Sequence, residues 1–92
     1  MIRSFIHEGL EGFFPTGSKA GILAAHATKI GRLLEQLDQA GSPPDMNLPG
    51  WRLHELKGSM TGHCSVTVNG NWRITFRFVD GDAEVVDYLD HH

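Results

Sequence analysis

The spacing of apolar positions changes from helical to alternating partway along the chain. Leu23, Ala27, Ile30, Leu34 and Leu37 recur at intervals of four, three, four and three residues, which makes one apolar stripe on a helix running from Leu23 to Ala40. Lys29, Arg32, Glu35, Gln36 and Gln39 fall largely off that stripe. Gly41 is placed to end the helix, and Ser42-Pro43-Pro44-Asp45 to prevent its resumption. Upstream, Ile2-Arg3-Ser4-Phe5 has the character of a short strand. Glu8 to Phe14 predicts a short helix halted ahead of Pro15, because the residue before a proline avoids helical backbone angles.

Beyond Gly50 the alternation takes over. Trp51 to Leu56 predicts a strand, and Cys64 to Val68 a second one, with Val66 and Val68 on one face and Ser65 and Thr67 on the other. Asn69-Gly70-Asn71 predicts a hairpin turn, since Asn and Gly tolerate positive φ at little cost. Trp72, Ile74, Phe76 and Phe78 then alternate with Arg73, Thr75 and Arg77, giving an apolar face toward a core and a basic face outward. Asp80-Gly81-Asp82 makes a second turn, and Ala83 to Tyr88 returns as a strand. The expected class is α+β: a small antiparallel sheet with two N-terminal helices packed on one face.

Composition narrows the picture. A chain of 92 residues with 40% hydrophobic and 21% charged positions is expected to form a single domain, residues 1–92, around one core. No apolar run is long enough for a membrane span, and the start lacks the apolar stretch of a secretory signal. One cysteine, Cys64, can form no internal disulfide. The cytoplasm is the expected location. Net charge is −3, which is not the basic balance of a typical nucleic-acid binder.

Several residues carry candidate chemistry. His54 and Lys57 put an imidazole near an ammonium at a strand end, a proton acceptor beside a phosphate clamp. A solvated strand edge is the plainer reading. Arg73 offers a planar set of donors for phosphate or carboxylate oxygens, and Arg77 shares its face; an exposed cross-strand ion pair explains either equally well. The tail, Asp90-His91-His92, sets two imidazoles after a carboxylate, which suits a general acid or base with an orienting partner. His63 and Cys64 could join them as metal ligands, but the spacing matches no trusted metal pattern, so no metal is expected.

Taken together these blocks resemble the RelE/HigB-type toxin family. The resemblance rests on Met1-Ile2-Arg3-Ser4-Phe5, Gly9-Leu10, Phe14 and Gly17-Ser18-Lys19-Ala20-Gly21-Ile22. It continues through Leu48-Pro49-Gly50-Trp51-Arg52-Leu53-His54, Leu56-Lys57-Gly58, Asn71-Trp72-Arg73-Ile74-Thr75-Phe76 and Asp80-Gly81-Asp82-Ala83. It implies the toxin half of a type II toxin–antitoxin pair, partnered by a helix-turn-helix, HigA-like antitoxin that carries any contact with operator DNA. Such toxins enter the A site of the 70S ribosome and cleave mRNA without a metal or other cofactor. By position, His54 corresponds to the family's active-site histidine, Lys57 and Arg73 to its phosphate-holding cations, and Asp90 and His92 to its C-terminal active-site pair. His91 and Arg77 are possible additions.

Two departures from the family pattern bear on strength. The residue before the last histidine is commonly tyrosine there and is His91 here. The chain is also acidic overall, which weakens long-range attraction to ribosomal RNA and implies a mild toxin. Two other function classes share the fold: a gyrase-poisoning binder without RNA chemistry, and an attenuated toxin that mainly binds its antitoxin and adjusts operon repression. The set His54, Lys57, Arg73, Asp90 and His92 argues for the enzyme, since a pure binder has no use for it.

Overall fold

The computed structural model describes residues 1–90; His91 and His92, both expected at the site, lie outside the described residues. Helix α1 spans Glu8–Thr16 and α2 spans Ala27–Gln39. Strands β1 (His54–Glu55), β2 (Cys64–Asn69), β3 (Trp72–Val79) and β4 (Asp82–Asp90) form a four-stranded antiparallel meander in that spatial order. This is the α+β architecture expected from the sequence.

Helix α1 starts where the imidazole Nδ1 of His7 accepts from the Leu10 N–H at 3.3 Å, with Glu8 and Glu11 favourably placed in its first turn. It does not stop at Phe14 but carries Pro15 inside its last turn. The proline deprives only an exposed carbonyl of its partner there, and the Thr16 hydroxyl donates to the Gly12 carbonyl one turn back at 2.5 Å. Gly17, at φ +78°, then ends the helix by donating to the Phe13 carbonyl at 2.7 Å.

Helix α2 begins later than its apolar period suggested. Leu23 stands outside it, 47% exposed, ahead of a single 3-10 turn at Ala24–His26. The buried stripe is Ala27, Ile30, Leu33, Leu34 and Leu37, so Leu33 takes the place expected of Leu23. The chain leaves the helix at Ala40 in an extended conformation rather than through a left-handed Gly41. A 3-10 turn over Pro43–Met46 follows and drops Met46 into the core.

That core lies between the helices and one face of the sheet. Leu10, Ile30, Leu33, Leu34, Leu37 and Met46 meet Val66, Ile74, Phe76, Ala83 and Val86, all fully buried. Both hairpins close through two-residue turns. Asp80 and Gly81 both have positive φ, 52° and 82°, the geometry that matches the twist of the flanking strands. Two expected strands shrink. Ile2 to Phe5 forms only isolated parallel bridges, Ile2 to Ala83 and Phe5 to Val86, because β4 bulges between them. Val85, at the bulge, has φ +49°, and its N–H donates to the Ser4 hydroxyl at 2.8 Å. The strand expected from Trp51 to Leu56 is reduced to His54–Glu55, since Gly50 and Arg52 turn the chain with φ +83° and +52°.

Candidate active site

Side chains alternate across a strand, so the face of the sheet opposite the helices is already fixed by the core. The register pairs Thr67 with Arg73 and Arg73 with Leu89, and in the next row His54 with Ser65, Ser65 with Thr75 and Thr75 with Asp87. These residues form the open face. Two cavities lie over it. One, of about 400 Å³, is lined by Arg52, Leu53, His54, Leu56, Ser65, Thr67 and Arg73. The other, of about 380 Å³, is lined by His54, Leu56, Lys57, Met60, Thr75 and Leu89. They share His54 and Leu56, so the exposed imidazole of His54 stands at their junction.

The structure thus brings together three of the expected site residues, His54, Lys57 and Arg73. Arg73 is half-buried, and its Nη1 donates to the carbonyls of Gly70 at 2.6 Å and Trp72 at 3.2 Å. Those bonds pin the side chain to the hairpin turn while leaving other donors of the guanidinium for an anion. With Arg52 and Lys57 also on the walls, and no acidic residue lining either cavity among the described residues, the cleft concentrates positive charge in a chain that is net negative.

Two other expected residues fall elsewhere. Arg77 is exposed and committed to Glu84 across the bulge, with Nη2 at 2.9 Å and Nε at 3.2 Å from the same carboxylate oxygen, and it lines neither cavity. Asp90 pairs with Trp72 at the end of β4, and strand alternation puts it on the side of Tyr88 and Trp72 rather than with Leu89 and Arg73. Cys64 faces the core; burial first and the Glu55 carboxylate second push its thiol pKa up, which suits packing rather than reaction. No cluster of three His, Cys, Asp or Glu side chains placed to hold a metal occurs among the described residues.

Sequence reading passed over the floor of the cleft. Thr75 is only 3% exposed and Ser65 only 4%, although both lie on the face expected to be solvated. The hydroxyl oxygens of Thr67 and Thr75 and the Nδ1 of His63 are buried with no hydrogen-bond partner among the described residues. Such an atom costs the fold about 1–3 kcal/mol. Thr67 and Thr75 belong to the open-face alternation of β2 and β3, and His63 immediately precedes β2. The available signal was the alternation of small hydroxyl residues opposite Arg73.

The family described as "RelE-like toxin of type II toxin-antitoxin system HigB" matches residues 3–92. The chain is 41% identical over 92 residues to the Endoribonuclease HigB of Proteus vulgaris, covering both chains completely. It is 34% identical over 94 residues to the Toxin HigB-1 of Vibrio cholerae serotype O1, covering all of this chain and 98% of that one. Among the described residues no helix is long and apolar enough to cross a membrane. A match that spans almost the whole sequence, on a fold of the expected class, places this chain in the HigB family of RelE-like toxins, each the toxin half of a pair with an antitoxin.

Proposed function

We propose that this protein is an endoribonuclease that cuts mRNA in the ribosomal A site in the cytoplasm, and that a helix-turn-helix antitoxin neutralises it. The observation that carries the reading is the position of His54, at the junction of two cavities and flanked by Arg73 and Lys57. RNA supplies its own nucleophile, the 2′-hydroxyl, so the enzyme has three tasks. It must align that oxygen with the phosphorus, remove its proton, and return a proton to the leaving 5′-oxygen. His54 carries one of the two proton transfers and His92 the other. Arg73 and Lys57 hold the non-bridging oxygens and stabilise the charge that builds on the phosphorane.

The test is cleavage of a defined mRNA by the purified chain, with programmed 70S ribosomes and with naked RNA. Cuts should require the ribosome and fall by roughly 100-fold or more in His54→Ala, the usual worth of a proton-transfer group. His54 is exposed, so that variant should melt as the unaltered chain does. A folded chain that cuts neither RNA would sink the endonuclease reading and favour a toxin that acts by binding.

A further inference from the structure

Each cavity of the cleft holds in its floor one buried hydroxyl without a partner among the described residues: Thr67 in the cavity walled by Arg52 and Arg73, Thr75 in the one walled by Lys57, Met60 and Leu89. We propose that the two cavities are consecutive nucleotide subsites of a single-stranded RNA, and that Thr67 and Thr75 are the positioning residues that fix its sugar–phosphate backbone on either side of His54. The inference rests on the endonuclease reading above.

Three observations carry it. Volumes of about 400 Å³ and 380 Å³ are each of the size that takes one nucleotide, and the shared wall at His54 sets the scissile bond between them. The walls also differ in chemistry. Two guanidinium groups face the first cavity, which suits a phosphate, whereas Leu56, Met60 and Leu89 give the second the apolar sides that a ribose and base fit between. Finally, a hydroxyl closed off from water and without a partner among the described residues is a cost that the fold alone does not explain, and a ligand oxygen would recover it. Among the residues that line the cavities with these hydroxyls, His54 and Lys57 are exposed and Met60 is half-buried, so their side chains can swing aside to admit the backbone.

Thr67→Val and Thr75→Val keep shape and volume while removing the hydroxyl. If the hydroxyls are merely structural, their loss is neutral or stabilising and activity does not change. On the proposal, melting temperature holds or rises while kcat/KM for cleavage of ribosome-bound mRNA falls about tenfold in each variant. Thr67→Ser and Thr75→Ser should restore most of it. Valine variants that cut at the unaltered rate would overturn the proposal while leaving the endonuclease reading intact. Failure of the unaltered chain to cut would overturn both.

Discussion

Tyr88→Phe isolates one buried hydrogen bond. The Tyr88 hydroxyl lies 2.6 Å from the Nδ1 of His26, and the two side chains are each 5% exposed. The two groups share a hydrogen bond, with donor and acceptor set by the imidazole tautomer. Phenylalanine preserves the ring contacts with Trp72 and His7, whose centroids lie 4.7 Å and 5.2 Å away. What the substitution removes is therefore the polar link between β4 and the segment leading into α2. Leaving the buried imidazole nitrogen unpaired costs about 1–3 kcal/mol in either tautomer. For a chain of this size each kcal/mol moves the melting midpoint by about 5 °C, so circular dichroism should record a drop of about 5–15 °C. The phenol adds a pH arm. Burial holds its pKa above the ordinary value, only partly opposed by the Leu23 N–H. A raised folded-state pKa means the contribution is complete below the unfolded value and is lost as pH rises past it. The gap between the two proteins should therefore narrow above about pH 10. A phenylalanine variant melting within about 1 °C of the unaltered chain at neutral pH would refute the reasoning, because no smaller cost is consistent with an orphaned buried nitrogen.

Four further substitutions probe other parts of the fold. A Cβ at Gly9 would collide with the Gly21 backbone, whereas one at Gly12 meets nothing, so Gly9→Ala should destabilise by about 1–3 kcal/mol and Gly12→Ala stabilise by about 0.5–1 kcal/mol, read by urea titration. Asp82 is held below the ordinary carboxylate pKa first by the Arg3 side chain, at 2.7 Å, and then by the terminal amine at 3.3 Å. Its contribution is present above the unfolded pKa and lost as pH falls through the folded one, so Asp82→Asn should flatten the acid limb of a melting-temperature profile. Arg73→Lys keeps the charge but not the planar fork that spans Gly70, Trp72 and an anion, so cleavage should fall about tenfold or more with little change in melting; equal activity would reduce Arg73 to a point charge.

The sequence was most legible where a side chain answers to one regular neighbour. Ile74 and Phe76 alternate into the core, and Asp80-Gly81 makes its turn, because local geometry alone decides both. It was least legible where two remote segments meet. Leu23 has the right spacing for the stripe of α2, yet the backbone bends into a 3-10 turn that brings His26 to Tyr88, and the leucine is left outside. Gly9 and Gly12 look alike in the sequence; only the approach of Gly21 separates them. The strand at Ile2 to Phe5 is broken by a bulge at Val85, a residue whose β-branch gives no hint of positive φ. At the site, His54, Lys57 and Arg73 were legible through the resemblance to a family, whereas the burial of Thr75 follows from what β1 and the segment after it place above the sheet.

The two faces of this sheet obey opposite rules, and that division explains why so small a chain can carry a costly site. On the helix face Val66, Ile74, Phe76 and Val86 meet apolar neighbours and gain from burial. On the open face Arg52, Lys57 and Arg73 gather like charges along the cleft, and two hydroxyls in the floor lack partners among the described residues. None of these features stabilises the free protein. On the proposed reading, each becomes favourable when a polyanion with hydroxyl and phosphate oxygens enters the cleft. The cost is tolerable because the open face adjoins the core without interrupting it. Alternation along β2 and β3 lets Cys64, Val66 and Val68 pack inward while Ser65 and Thr67 face the cleft, so the strands that stabilise the fold also aim the chemistry.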